Sequence, residues 1–458
     1  LNAFLDSVMA EEGVGAARTV LVGFSQHEGN TQELQGGVAL GEDGLGGRWL
    51  LDGNFADSEG EGDLENTDHR FYRYAGRAQR QSESTQTDLF AGYQHKIFGL
   101  QNLYAAPFDS FEKENVKTRL FLMNHRYEVD ADQWLEATGY YRRNSDDYDF
   151  NRFDPDSGNP FQHETKSGGG AVKGSYPVGD YNVLYGVEIY ADHIESTALT
   201  FGPFDSRVYG SASLAGERSW EASGGEWTAL LGGKWDESNH ESGELLPVSR
   251  LSFHQPTGKT GSWNAYIDAS GASQVPGYTA IASSPQGGLF RGNPDLGRET
   301  SWNFETGGGL DEGPWSFDAS AFARRDDDLT DWTFNTTGGL ARTANPIDLW
   351  VYGVEALGRY GWENGSLSLG YAWLEKEEDY GSADVDASFY ALNYPEHRVT
   401  AAFDWNLLPW LGFRTDTEWR KQRENLLRES GDTAWLTDAA FRFSTEKLPG
   451  AELWIGVW

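Results

Sequence analysis

Residues 411–420 restrict the fold more than any other stretch, because both sides of an extended segment are spoken for. Leu411, Phe413, Thr415, Thr417 and Trp419 alternate with Arg414, Asp416, Glu418 and Arg420, a period of two that belongs to a β-strand with one largely apolar and one charged face. A soluble sandwich cannot bury such a charged face. The same alternation recurs: Leu367, Leu369, Tyr371 and Trp373 against Ser366, Ser368, Gly370 and Ala372; Trp263, Ala265, Ile267 and Ala269 against Asn264, Tyr266, Asp268 and Ser270; and Val399, Ala401, Phe403 and Trp405 against Thr400, Ala402, Asp404 and Asn406. The apolar face must also be covered. Two arrangements remain: a sheet whose polar side meets bulk water, and a barrel whose polar side meets a wet lumen.

Composition and connection lengths favour the barrel. Hydrophobic residues make up 38% of the 458 and no run of about 18 apolar residues is present, so no helix can span a membrane. Aromatics nonetheless reach 14%, with 18 Trp, 21 Tyr and 25 Phe, as expected where alternate residues face lipid and aromatic girdles mark both interfaces. Tight turns fall at 177–180, 223–225, 256–258, 311–314, 363–365 and 448–450, and between them lie long polar connections near 57–68, 98–113, 144–163, 194–204, 272–297, 326–347, 378–395 and 423–432. Short and long connections alternate, which is the asymmetry of an outer-membrane barrel. The fold expected is all-β, a transmembrane antiparallel up-and-down β-barrel over residues 18–458, preceded by a lead-in of unassigned structure at 1–17. Roughly 21 strands can be counted, the last at 451–458, whereas single-chain barrels have an even number, so the expectation is a barrel of about 22 strands lacking its last.

The formal net charge of −35 argues against a nucleic-acid partner, whose phosphates would be repelled. No cysteine is present, which removes disulfides and thiolate metal sites, and residues 1–12 carry no signal-peptide pattern.

The stretch 287–307 adds a motif. Asn293, Pro294 and Leu296 form a turn, Glu299 follows, and Phe304, Glu305 and Gly307 lie on an extended segment with Trp302. This order resembles the loop-to-strand signature of the TonB-dependent outer-membrane receptors, with Arg298 where the family often has Pro and Phe304 where it often has Tyr. Residues 120–126, preceded by Leu103 and Tyr104, resemble the third hairpin of the cobalamin-receptor-like branch, and 387–398 resembles a late hairpin ending in Pro-x-His-Arg. The resemblance implies an N-terminal plug domain, absent from the strand pattern here and expected upstream or in a separate chain. It further implies a partnership with the inner-membrane TonB energy-transducing complex, contact with membrane lipid and lipopolysaccharide, a small-molecule ligand and a monomeric state.

Site candidates follow from residue chemistry. Tyr104, Tyr278, Phe290, Arg291, Trp332 and Phe334 fall in expected outer loops, where rings offer flat apolar surface and a guanidinium pairs with carboxylate or phosphate. The alternative role for such aromatics is the interfacial girdle. Asp146, Asp147 and Asp149, and the run 326–331, place carboxylates in expected loops, a composition that suits either solvation or Ca2+. No metal-type histidine spacing, nucleophile elbow or phosphate loop occurs, so no enzymatic activity is expected. The reading is an outer-membrane receptor for energy-coupled uptake of a scarce ligand, a siderophore, corrinoid or similar. The alternatives are a passive porin and a secreted β-rich carbohydrate-binding protein.

Overall fold

The computed structural model describes residues 15–25, 29–62, 64–101, 103–104, 110–155, 160–199, 201–335, 341–425, 428, 431–445, 447 and 452–457. Along the chain run β1 (Gly15–Ser25), β2 (Gly29–Glu42), β3 (Arg48–Gly60), β4 (His69–Gln81), β5 (Thr85–Gln101), β6 (Phe111–Glu128), β7 (Trp134–Asp149), β8 (Phe161–Val178), β9 (Tyr181–Ser196) and β10 (Ser206–Ala222). Next come β11 (Gly225–Ser238), β12 (Glu244–Thr257), β13 (Gly261–Gln274), the five-residue helix α1 (Tyr278–Ala282), β14 (Phe290–Arg291), β15 (Glu299–Glu312), β16 (Trp315–Phe334) and β17 (Arg342–Trp362). The rest are β18 (Gly365–Asp379), β19 (Ala387–Ser388), β20 (Pro395–Leu408), β21 (Leu411–Gln422), β22 (Thr433–Ser444) and β23 (Glu452–Val457). Of these 23 strands β14 and β19 are two residues each, which leaves 21 long ones among the described residues.

The chain divides into two compact units. The first holds residues 1–214, 234–244 and 277–295; the second holds 215–233, 245–276 and 296–458. In the first unit β1 to β9 form an antiparallel meander, each strand pairing with the next. In the second, β12 and β13 are followed by β15 to β18 and β20 to β23 in another such meander.

Register shows how the alternation is used. Leu367, Leu369, Tyr371 and Trp373 of β18 stand opposite Tyr360, Gly358, Ala356 and Val354 of β17 and opposite Phe403, Ala401, Val399 and His397 of β20. Leu411, Phe413, Thr415, Thr417 and Trp419 oppose Phe443, Phe441, Ala439, Thr437 and Trp435. Directly opposed residues share a face, so the second unit carries one continuous apolar face. Ile267, Leu369, Ile455 and Val457 on it are all exposed. Near the short turns rings line up across strands, Trp315 on Tyr360 at 4.3 Å and Trp362 on Phe403 at 5.8 Å, as an interfacial girdle requires.

Several expected loops are strand. Asp146, Asp147 and Asp149 lie on β7, and residues 326–331 with Trp332 and Phe334 lie on β16, which pairs with β17 up to Thr333. Both hairpins outrun the apolar band. Beyond it the ladder of hydrogen bonds continues, but on β16 the covered face carries Asp326, Asp331 and Thr333, buried opposite and beside Ile347 and Leu349 of β17, so no apolar alternation marks the strand. A bulge interrupts β16 between Asp326 and Leu329, with Asp328 at φ 55°. At the N-terminus strand begins at Gly15, three residues before the expected Arg18; residues 1–14 of the lead-in, the turn 448–450 and Trp458 lie outside the described residues.

Candidate functional site

In the first unit the long-loop end gathers two clusters on the polar face. Glu112 of β6 is fully buried and accepts hydrogen bonds from the Tyr148 hydroxyl at 2.5 Å and from the Tyr104 amide at 3.2 Å. The Tyr104 ring meets Tyr148 edge-on at 5.7 Å and Phe290 at 6.3 Å, and Tyr148 stacks on Phe161 at 5.8 Å. Four rings from four separate segments thus form one chain, with Tyr104 and Tyr148 at the buried carboxylate and Phe290 and Phe161 against them. Burial, followed by the nearby charges of Glu114 and Asp146, pushes the Tyr104 phenol up to about 12, so it stays a neutral hydrogen-bonding group.

The second cluster seats α1. Arg207 grips Asp192 with Nε and Nη2, both at 3.0 Å, and its guanidinium lies 4.1 Å from the Tyr278 ring centroid. Tyr278, only 7% exposed, donates its hydroxyl to the same Asp192 carboxylate. Burial and that hydrogen bond raise its phenol above the ordinary range. The Asn293 amide donates to the Ala280 carbonyl at 2.6 Å, and the Asn293 side chain accepts from the Asp295 amide at 3.0 Å, which closes the segment on itself. Tyr278 is therefore an anchor of the loop rather than an open capture residue, and Phe290 and Arg291 ride on the segment it anchors.

A third knot ties the neighbouring loops. Asn66, at φ 59°, donates from Nδ2 to the carbonyls of Leu100 and Glu112, both at 2.8 Å. Arg152 donates to Asn66 Oδ1 at 2.9 Å and bridges both oxygens of Asp68, and its guanidinium holds the Asp68 carboxyl below the usual range.

The acidic candidates separate. Asp146 opposes Val116 and His163, whereas Asp147 and Asp149 point to the other face, where Asp149 pairs with Lys113 at 3.4 Å. No three His, Cys, Asp or Glu side chains among the described residues are grouped to hold a metal ion.

In the second unit Asp331 of β16 is fully buried and accepts from the Tyr390 and Ala391 amides, each at 3.0 Å, and from the Tyr380 hydroxyl at 3.3 Å. Asp326 accepts from Ser301 and, at 3.0 Å, from Arg324. The Trp332 carbonyl receives the Phe389 amide at 3.1 Å, and Phe334 pairs with Ala387. Trp332 and Phe334 thus hold the 380–394 connection by main-chain bonds. The sequence singles out none of Asp192, Arg207 and Asn66, and gives Asp331 only as one carboxylate of the run 326–331, because their partners lie 15 to 86 residues away.

The motif residues have structural duties. Glu299, buried at the start of β15, accepts from Gln274 at 2.6 Å, and Leu296 is buried. Glu305 accepts the Tyr266 hydroxyl, and a side chain at Gly307 would place its Cβ 2.7 Å from that hydroxyl and 2.9 Å from the Ala319 carbonyl. Phe304 is half exposed on the apolar face.

Antiparallel meanders with one exposed apolar face, one charged face and alternating short and long connections define a membrane-spanning β-barrel. The sequence profile described as "TonB dependent receptor-like, beta-barrel" matches residues 48–454. The chain belongs to the TonB-dependent receptor β-barrel family and resides in the outer membrane. Its fold is similar to that of the siderophore receptor PirA from Pseudomonas aeruginosa (TM-score 0.67, 14% identity, covering 95% of this chain and 75% of that one). It is also similar to the copper transporter OprC (0.69, 14%, 95% and 73%) and to the FrpB iron transporter from Neisseria meningitidis (0.71, 13%, 97% and 76%). No curated protein matches the sequence. The family and these neighbours are receptors and transporters rather than enzymes.

Proposed function

We propose that the protein takes up a scarce metal-carrying small molecule, a siderophore-type chelate, corrinoid or similar complex, in a step driven by the TonB complex. A plug domain set against the polar face of the barrel would share the selectivity with the outer loops. The observation that carries this reading is the meeting of Tyr104 with Phe290 at 6.3 Å, beside Tyr148 and Arg291, at the long-loop end of the first unit. Rings and a guanidinium together suit a ligand with flat apolar surface and carboxylate or hydroxamate-type oxygens. The iron, copper and siderophore cargoes named for the similar structures are consistent with it.

The test is uptake of labelled candidate complexes by cells whose sole receptor is this protein. Replacing Tyr104 and Phe290 together with Ala should raise the half-saturating ligand concentration by about tenfold, two lost ring contacts, while surface abundance stays constant. Uptake that persists unchanged in the double variant, or in cells lacking TonB, refutes the proposal.

A further inference from the structure

Glu114 lies among the rings of the first cluster. On β6 it shares the polar face with the buried Glu112, and across to β7 it opposes Tyr148. Asp146 of β7 stands one step toward the apolar band on that face, opposite Val116. Three carboxylates are thus crowded at neighbouring positions of two strands, at the end of the hairpin that outruns the band. Neither Glu114 nor Asp146 is offset by a bonded cation among the described residues. Asp146 opposes His163 on β8, but Asp146 Oδ1 and His163 Nδ1 are both buried without a hydrogen bond, and burial drives the imidazole toward its neutral form. On β5 Phe98 opposes Glu114, and Lys96, one step along, turns its ammonium to the Phe71 ring at 5.6 Å. On β4 His69 opposes Phe98 and bonds to Ser58 at 3.3 Å. From the connection after β5 the Tyr104 hydroxyl donates to Glu114 while its amide donates to Glu112. Phe290, followed by Arg291, meets the Tyr104 ring from the segment that α1 seats.

We propose that Glu114 is a positioning residue for the Tyr104–Phe290 pair, and that a proton on it tightens the hold on Tyr104. Neutral, Glu114 accepts the phenol without opposing Glu112 and Asp146; ionised, it repels both, and Tyr104 loosens. The two rings are then gripped more firmly in a mildly acidic medium than in an alkaline one. Burial, followed by the charge of Asp146, raises the Glu114 carboxyl to about 7, and an opening that admits water returns it toward the ordinary 4.5. A group raised in this way favours the closed arrangement fully below 4.5, and that contribution is lost as pH rises through about 7. Closure should therefore weaken by about threefold to tenfold between pH 6 and pH 8, the smaller figure allowing for the part of Glu114 that water already reaches, and should level off above pH 8.

Only the consequence for a ligand rests on the proposed function. The hold on Tyr104 is measured without ligand, so its failure and the failure of that reading are distinguishable. The full-length protein in detergent is exchanged into deuterated buffer between pH 6 and pH 9, and protection of the Tyr104 amide, corrected for the intrinsic rate at each pH, is read by mass spectrometry with electron-transfer fragmentation. In wild type protection should fall about threefold to tenfold from pH 6 to pH 8. E114Q, neutral throughout, should keep one value across the range. D146N should move the fall to lower pH, because one repelling charge is gone, and H163Q and H69Q should keep the wild-type fall. A flat wild-type profile overturns the proposal, as does an unchanged fall in E114Q; loss of the fall in either histidine variant overturns the assignment to Glu114. Heat-modifiable migration verifies that each variant is folded. If E114Q fails it, the displacement in D146N decides, and its absence overturns the proposal.

Discussion

Gly307 is a residue whose missing side chain is its contribution. The Tyr266 phenol crosses the space a Cβ would fill and reaches Glu305, and the Ala319 carbonyl limits the other side. Because a backbone carbonyl cannot swing away, Gly307→Ala should cost about 1–3 kcal/mol by overpacking, read as a lower unfolding temperature in detergent. Tyr104 permits a titration at the same scale. Its folded-state pKa of about 12 exceeds the ordinary 10.0, so whatever stability it contributes is fully present below pH 10 and is lost as pH rises through 12. Phenolate absorbance of wild type minus Tyr104→Phe should show a transition near pH 12; a midpoint near 10 would contradict its burial beside Glu114.

At the scale of elements, the 380–394 connection depends on β16. Asp331→Asn keeps the size but turns an NH2 toward either the Tyr390 or the Ala391 amide, which bond to different oxygens of Asp331, leaving a buried donor opposed to a donor at a cost of about 1–3 kcal/mol. Chymotrypsin should then cut at Phe389 or Tyr390 in the variant and not in wild type under the same exposure. This element also shows where sequence reading stops. The segments inside the apolar band are legible by alternation, and the expected 411–420 and 366–374 lie within the strands Leu411–Gln422 and Gly365–Asp379. The sequence places Asp146 and Asp331 among loop carboxylates because, beyond the band, polar groups occupy the covered face of the strand as well as the open one and leave no periodic signal. Tyr104 and Phe290 were legible as aromatic candidates, but their meeting was not: nearly 190 residues separate them and no spacing rule spans that gap.

For the whole molecule, the two faces make opposite demands on substitution. Ile267 is exposed on the apolar face while its neighbour Asp268 shares the polar face with Glu305. Ile267→Lys should therefore cost about 2–4 kcal/mol and reduce folded protein in the outer membrane, whereas Asp268→Asn should leave the yield unchanged. Quantifying the heat-modifiable band in outer-membrane fractions distinguishes the two, and equal yields would remove the lipid-facing assignment of β13.

The Asn66 knot bears on how the exposed surface can change over time. Its two bonds to Leu100 and Glu112, and the Arg152 bridge to Asp68, commit one small loop to the chain on either side of it. Antibodies and phages press for change on such surfaces, yet an insertion between 61 and 68 would release three connections at once. A library of inserted epitope tags along the long connections should therefore lose functional clones at Asn66.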